Sequence, residues 1–458
     1  MNPHWLALAA SMHPERPAII AGGEALGYAQ LHERARSVSA ALKARGVRTG
    51  DRVALALPAG AELVAALHGC WYAGAVAVPI DLRLTAAERA QRASGAALTV
   101  DGALAGERMH DATALPPTRE RMHDATALPP TGERPDRAHP PAAPTAGFEP
   151  DAVAAVLHTS GTTAAPRPVA LTFGNFLWSA LGSAVALGLD QRERWLCPMP
   201  LVHVGGLSIP IRSAIYATTA ILHERFDTGA VCATLMDPEQ RITLVSLVPT
   251  MLARLLDAGL RAPPTLRWAL LGGGPIGDGL LARAHEASVP VAPTYGMTEA
   301  CSQIATNGFP LTGVQLRIEG GELLVRGPIV APGALAPDGW LHTGDLGSFE
   351  QRSGLVISGR QSDTIITGGE NVAPAEVEAV LLEHAAIADA GVHARPDPEW
   401  GEAVVATVVL RGGASAGPSE LRAFCAARLA PYKVPKAVVF APALPRTESG
   451  KLLRRKLS

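Results

Sequence analysis

Between residues 53 and 292 the chain returns repeatedly to one device: a continuous apolar run of two to five residues gives way to a window of helical periodicity. The runs fall at 53–57, 76–80, 153–157, 195–198, 244–248, 268–271 and 291–292, with helical windows at 62–71, 176–187 and 207–216. A strand apolar at every position is buried on both faces, and such strands joined through helices form parallel sheets under helical layers. An α/β fold with a mostly parallel sheet is expected. An earlier helix is marked by Leu31, Ala35, Val38 and Leu42, with Gly46 as its C-terminal stop. Beyond residue 315 short strands and turns take over, and a fresh α+β pattern begins near Arg360. With 458 residues, and about 150 per domain as a guide, the division expected is a large N-terminal domain of layered sheets and helices, 1–359, and a small α+β C-terminal domain, 360–458.

The alternation breaks over residues 101–150, where proline, charge and small polar residues dominate. Residues 107–118 are repeated identically at 120–131, and Glu133-Arg134 begins a third copy. The unit is too short and too polar to stack as a solenoid, so a flexible surface insert is expected. His110 and His123, two isolated imidazoles in a flexible loop, could hold a metal only weakly. The formal charge of −2 gives no basic footprint for nucleic acid, and no cationic stripe suits a membrane surface. The longest apolar window, 64–80, is broken by His68 and ends at Pro79-Ile80, so neither membrane insertion nor a secretion signal is expected. The five cysteines are scattered singles without a CxxC pair, which fits a reducing, cytoplasmic setting. Small molecules are the partners this leaves.

Six segments carry candidate chemistry. His158-Thr159-Ser160-Gly161-Thr162-Thr163-Ala164-Ala165-Pro166-Arg167 follows an apolar run; small residues and hydroxyls bring donors close to a polyanion and Arg167 adds a charged fork. It lacks the second glycine and Lys-Ser/Thr of a Walker A loop, and alone it reads equally as a polar turn. Gly272-Gly273-Gly274-Pro275-Ile276-Gly277 satisfies the G-x-G-x-x-G pattern of a dinucleotide site, but Pro275 removes a donor where a pyrophosphate needs one, and no acid closes the next strand. A tight turn lining another ligand is the stronger reading. Thr294-Tyr295-Gly296-Met297-Thr298-Glu299, after the run 291–292, offers a ring to stack a base, a hydroxyl and a carboxylate for Mg2+, or else an edge aromatic with a capping threonine. Gly344-Asp345 places a carboxylate in a glycine turn, where it suits a ribose diol or simply the turn. Between Arg360 and Pro374, Asp363 and Gly368-Gly369 join two domain patterns and suggest a hinge, ahead of a helix opened by Pro374 with Glu376 and Glu378 in its first turns. Pro445-Arg446-Thr447-Glu448-Ser449-Gly450-Lys451 is a loop whose lysine reaches a phosphate only if the small domain folds over the large one.

In this order, these segments resemble the adenylate-forming superfamily of acyl-CoA synthetases, nonribosomal adenylation domains and luciferases. The resemblance covers nearly the whole chain outside the insert. It implies a mobile small domain and an active site between the two domains, using ATP, Mg2+ and coenzyme A on a carboxylic acid. It also implies roles for residues. Thr159, Ser160, Gly161, Thr162, Thr163 and Arg167 would handle the β- and γ-phosphates, Tyr295 would stack on adenine, Thr298 would meet the α-phosphate and Glu299 would bind Mg2+. Asp345 and Arg360 would hold the ribose, and Gly273, Gly296 and Gly369 would belong with the nucleotide. Gly272 and Gly274 would lie by the acid, Asp363 would be the hinge and Lys451 would stabilise the adenylation transition state.

The wording of 200–209, 212–216, 245–252, 270–275 and 295–303 is similar to that of the o-succinylbenzoyl-CoA synthetases of menaquinone biosynthesis. On that likeness His203 would line the acyl pocket and move between half-reactions. Arg212 is the candidate partner of the succinyl carboxylate, since a dicarboxylic substrate needs a buried cation; a charge on a helix surface is the competing reading. Ligases for other aryl or acyl acids, and adenylation domains that load a carrier protein, share the same motifs, and a homodimer is left open. The phosphate loop departs from the superfamily's usual Thr-Ser-Gly-Thr-Thr-Gly-x-Pro-Lys-Gly at Ala164, Arg167 and Pro168, changes that stiffen it and remove one donor. The segment 309–340 is shorter than is usual in the superfamily.

Overall fold

The computed structural model describes residues 4–102, 148–159, 167–447 and 452–457. The duplicated segment 107–131, the loop residues Ser160, Gly161, Thr162, Thr163 and Ala164, and Lys451 lie outside the described residues. The chain is α/β, with a nine-stranded, a five-stranded and a four-stranded sheet up to Arg360 and a second five-stranded sheet after it.

The apolar runs become strands, but of two sheets rather than one. Arg52–Leu55, Val76–Pro79 and Val153–Thr159 lie parallel, with Leu98–Val100 parallel at one edge and Arg167–Thr172 antiparallel at the other. Trp268–Leu271, Leu244–Leu247, Arg194–Cys197, Thr219–Leu222 and Pro17–Ala21 form the parallel middle of a nine-stranded sheet. Hairpins close both its ends: Pro17–Ala21 turns back into Glu24–Gly27, and Val291–Met297 into Ser302–Thr306. Apolar runs identify buried strands but not their neighbours, so the split into two sheets and the antiparallel edges were beyond reach of the pattern.

Helices fill the space between. Ala61–Ala73 is apolar nearly all round and buried along its length, the pattern of a helix enclosed by other layers. One continuous core joins it to Trp5–Met12, Tyr28–Ala44, Phe173–Leu187 and Val204–Tyr216. Phe148 stacks on Phe173 at 4.0 Å and packs beside Trp5 and Trp71, and the Trp71 indole donates to the Ala154 carbonyl at 2.9 Å.

Gln315–Glu319, Glu322–Arg326, Leu341–Glu350 and Gly354–Arg360 form an antiparallel sheet, and a 3₁₀ turn, Gln361–Asp363, leads on to Ile365–Thr367. That strand belongs to the last sheet, with Glu370–Val372, Gly401–Leu410, Ile387–Asp397 and Ala437–Phe440. Helices Pro374–Leu382 and Pro418–Ala426 share a separate core with it. No helix among the described residues is long and apolar enough to cross a membrane.

Candidate active site

Three residues singled out in the sequence meet at one carboxylate. Asp345 is 6% exposed and lies within Leu341–Glu350, directly opposite Arg360 of the neighbouring strand, rather than in a free glycine turn. The Tyr295 hydroxyl donates to Asp345 Oδ2 at 2.7 Å, and Arg360 Nε donates to Oδ1 at 2.7 Å. The Asp345 backbone N–H donates to the Thr343 hydroxyl, which itself donates to the Leu323 carbonyl, so the turn is held from below. Burial and then the Asp345 charge push the Tyr295 phenol far above its ordinary value, so it stays a donor. Each carboxylate oxygen keeps a further lone pair, which leaves capacity for a diol.

Tyr295 is not beyond a strand end, as the sequence pattern suggested, but inside Val291–Met297. The strand changes partners along its length: residues 291–293 pair in parallel with Trp268–Leu271, and residues 294–297 pair antiparallel with Ser302–Thr306, with a bulge between Tyr295 and Gly296. A Cβ at Gly296 would lie 1.7 Å from the Ser302 carbonyl, so only glycine fits. Gly272 packs as tightly, its would-be Cβ 2.7 Å from the Thr294 carbonyl, and Gly273 has φ of +80°. The three-glycine turn therefore serves close approach to the strand that carries Tyr295, and Gly274 follows it beside Pro249.

Thr298 opens a 3₁₀ turn, Thr298–Ala300, on which Glu299 is half-buried. No three-ligand metal cluster exists among the described residues. A single half-buried carboxylate suits Mg2+, which is ordinarily held by one or two carboxylates together with substrate phosphates and water. Thr159 and Arg167 face each other across the mouth of the hairpin, and the Thr159 hydroxyl donates to the Arg167 carbonyl at 3.3 Å.

His203 is the N-cap residue of Val204–Tyr216. Burial lowers its pKa against the opposing pull of Asp81, so the imidazole is neutral at neutral pH. Arg212, on the same helix, is not a surface charge: it is 2% exposed. Its Nη2 donates to the Ser179 hydroxyl at 2.9 Å and its guanidinium lies over the Trp195 ring at 5.6 Å, while Nε has no partner among the described residues. No carboxylate pairs with it there, and burial lowers its pKa.

Gly369 occupies the tip of the hairpin between Ile365–Thr367 and Glu370–Val372, with φ of +85°. Asp363 ends the 3₁₀ turn and accepts from Arg454. Arg446 and Leu452 form an isolated antiparallel bridge. Sequence reasoning missed Thr343, Ser179, Asp81 and Arg454. The first three are small or common surface types with no local signature, and Arg454 sits in a basic tail that reads as solvated surface.

The family model described as AMP-binding enzyme matches residues 6–335, and the one described as AMP-binding enzyme C-terminal domain matches 376–451. The 2-succinylbenzoate–CoA ligase of Bacillus licheniformis is 38% identical over 489 residues, spanning 100% of this chain and 99% of that protein. Among solved structures, the o-succinylbenzoate CoA synthetase of Bacillus subtilis with the acyl-adenylate OSB-AMP superposes with a TM-score of 0.85 at 35% identity, covering 100% and 98% of the two chains. Its complex with ATP and magnesium gives 0.85 at 34% identity, covering 100% and 99%. A variant of it holding the product analogue OSB-NCoA gives 0.68 at 35% identity, covering 100% and 98%.

Proposed function

The chain belongs to the AMP-binding enzyme family, and from that premise we propose that its activity is the ATP-dependent ligation of o-succinylbenzoate to coenzyme A. The enzyme is an AMP-forming acid–thiol ligase that uses ATP, Mg2+ and coenzyme A. The observation that carries the acid's identity beyond the family is Arg212, a buried guanidinium with no carboxylate partner among the described residues, in a chain whose full-length relatives act on a dicarboxylic acid.

The acid's carboxylate attacks the α-phosphorus of ATP and pyrophosphate leaves, which turns a poor acyl donor into an acyl-adenylate. The coenzyme A thiolate then attacks the acyl carbon and AMP leaves. In the first step the Tyr295 ring flanks the adenine while Asp345, aligned by Arg360 and Thr343, accepts from the ribose hydroxyls. Thr298 donates to the α-phosphate, and Thr159, Arg167 and the loop between them, Ser160 to Thr163 included, hold the leaving phosphates. Glu299 would hold Mg2+, which when bound neutralises charge developing on the phosphate oxygens. Lys451 contributes the same kind of stabilisation from the small domain. Neutral His203 lies at the start of the helix that carries Arg212, where it borders the acyl group without adding charge. Gly272, Gly273, Gly274 and Gly296 shape the floor beneath nucleotide and acid, and Gly369 faces the nucleotide from the small domain.

The domain division is placed at 1–359 and 360–458, with Asp363 as the pivot. At equal identity and coverage, the chain superposes at 0.85 on the acyl-adenylate complex and 0.68 on the product-analogue complex, which supports an adenylate-forming arrangement of the two domains. A cytoplasmic site of action and a place in menaquinone biosynthesis complete the reading.

The test is pyrophosphate release across a panel of mono- and dicarboxylic aryl acids, with and without coenzyme A. Release specific to o-succinylbenzoate, followed by thioester formation, is expected. Preference for a monocarboxylic acid would move the enzyme to another acid, and acyl-AMP without a coenzyme A thioester would make it a loader of carrier proteins.

A further inference from the structure

Arg454 draws together three parts of the small domain and its linker. Its Nε donates to the Val392 carbonyl at 3.1 Å, and its Nη2 donates to both Glu378 oxygens at 2.8 and 2.7 Å. Glu378 is fixed in turn: it is buried in Pro374–Leu382 and accepts from the Val392 backbone N–H at 2.7 Å. These contacts spend two of the guanidinium's three nitrogens inside the small domain. The third, Nη1, donates to Asp363 Oδ2 at 3.2 Å. Asp363 ends the turn between the last strand of the four-stranded sheet and the first strand of the small domain. It also lies within electrostatic reach of Arg360, which holds Asp345. The linker carboxylate is therefore flanked by one cation at the end of the four-stranded sheet and one from near the C-terminus.

Arg454 is also close in sequence to the lysine loop. Leu452 bridges to Arg446, the Leu453 N–H donates to the Pro445 carbonyl at 2.8 Å, and Arg446 is bound to Asp389 of Ile387–Asp397 at 2.6 and 3.0 Å. Residues 445–446 and 452–453 are thus tied to each other and, through Arg446, to the small sheet, and they lead directly into Arg454. A lysine at 454 could not make this set of contacts, since three separate acceptors are served by a rigid planar fork.

We propose that Arg454 is a positioning residue that clamps Asp363, so that the linker and the small domain's helix Pro374–Leu382 are held as one body in the adenylate-forming arrangement and the clamp opens before the small domain turns for thioester formation. The inference rests on the proposed ligase activity for its kinetic readout but not for its conformational one. A partly exposed, hydrogen-bonded charge pair is worth about a five- to tenfold shift in such an equilibrium. Asp363→Asn weakens the clamp while leaving Arg454 and Glu378 paired, and Arg454→Lys shortens the fork while keeping its charge.

The experiment measures two half-reactions in each variant: acid-dependent ATP–pyrophosphate exchange, and thioester formation from presented acyl-AMP. Energy transfer between fluorophores on the two domains, without substrate, reports their arrangement. Both variants should lower the ratio of exchange to thioester formation five- to tenfold, broaden or shift the energy-transfer distribution, and combine non-additively in the double variant. Equal losses in both half-reactions, additive effects, or an unchanged distribution would overturn the clamp and leave Arg454 a packing residue. Absence of exchange in the unaltered enzyme would count against the ligase reading instead, and the energy-transfer comparison would still decide the clamp.

Discussion

Arg212 is a residue the folded chain holds at a cost. A guanidinium removed from water without a carboxylate is unfavourable, and a single hydrogen bond to Ser179 with a ring contact to Trp195 compensates it only in part. An anionic substrate would supply the missing charge. Arg212→Met is therefore expected to leave the melting temperature unchanged or higher, and to raise KM for o-succinylbenzoate roughly 10- to 100-fold, the worth of a charge-assisted hydrogen bond, while KM for ATP stays nearly constant. Thermal melting and steady-state kinetics on the variant check both arms together; a large fall in melting temperature would make Arg212 a structural residue. The sequence left Arg212 open between a buried cation and a surface charge, although 204–216 carries no other charged residue. What the neighbours could not show was the absence of a carboxylate partner, which depends on elements up to ~90 residues away in sequence, such as the segment around Cys301, whose carbonyl accepts from Ser179. Asp345 shows the same limit: a glycine-turn aspartate was visible, but its position opposite Arg360 depends on strand register.

At the scale of elements, periodicity placed the helices and buried strands it named within a few residues, yet it passed over helices Trp5–Met12 and Ala86–Arg92 and strands Pro17–Ala21 and Thr219–Leu222, and ended the strand at 291–292 too early. The tail of that strand, Thr294–Met297, has glycine and polar residues that local preference assigns to a turn, and only pairing with Ser302–Thr306 keeps it extended. Gly296→Ala should break this hairpin, since 1.7 Å from a carbonyl oxygen leaves no space for a methyl group. The expected result is a rise of tenfold or more in KM for ATP with a lowered melting temperature, because Tyr295 and Asp345 would separate; nucleotide titration and melting report each effect. Helix Ala61–Ala73 makes a different prediction. Its His68 is buried against Trp71, and burial pushes its pKa down to about 3, with His4 and His32 adding to the shift. Below the ordinary imidazole value near 6.5 the unfolded chain binds a proton that the folded chain refuses, so stability is intact above that pH and declines as pH falls toward 3. The slope from this residue is at most about 1.4 kcal/mol per pH unit. His68→Gln should flatten the stability–pH curve between pH 6 and 4.5 by that amount, as denaturant unfolding at several pH values would show; parallel curves would assign the acid sensitivity to other groups.

Across the whole molecule, what the sequence made readable was the order of motifs and the change of pattern near Arg360, because both are local properties laid along the chain. Contacts joining distant parts, such as Arg454 with Asp363, were not readable, since neither residue differs from an ordinary surface charge until the small domain is folded. Lys451→Ala is expected to cut adenylation about 10²- to 10³-fold while leaving thioester formation from presented acyl-AMP near its normal rate; equal losses would remove its assignment to the first step. The duplicated segment gives the last test, and here sheet topology sets the expectation. Leu98–Val100 is the edge strand of its sheet, and the next strand of that sheet in sequence, Val153–Thr159, lies beyond Arg52–Leu55 and Val76–Pro79, three inter-strand steps away. At ~4.8 Å per step the connection must cross about 15 Å sideways, and because the strands are parallel it must also return about four residues, ~13 Å, along them, roughly 20 Å in all. Deleting 107–131 would leave six residues, 101–106, and sixteen, 132–147, ahead of Phe148. At a partly extended ~2.5 Å per residue, well below the ~3.3 Å of a full strand, these still span more than twice the crossing, and loop-closure entropy changes only by a fraction of a kcal/mol when a long loop is shortened this much. Phe148 would still reach its place between Trp5 and Phe173. The deletion variant is expected to melt within about 2 °C of the full chain, because a change well under 1 kcal/mol moves a protein of this size no further. Its kcat and its KM for ATP should be unchanged, and a variant that fails to fold would establish that the repeat packs against the sheet.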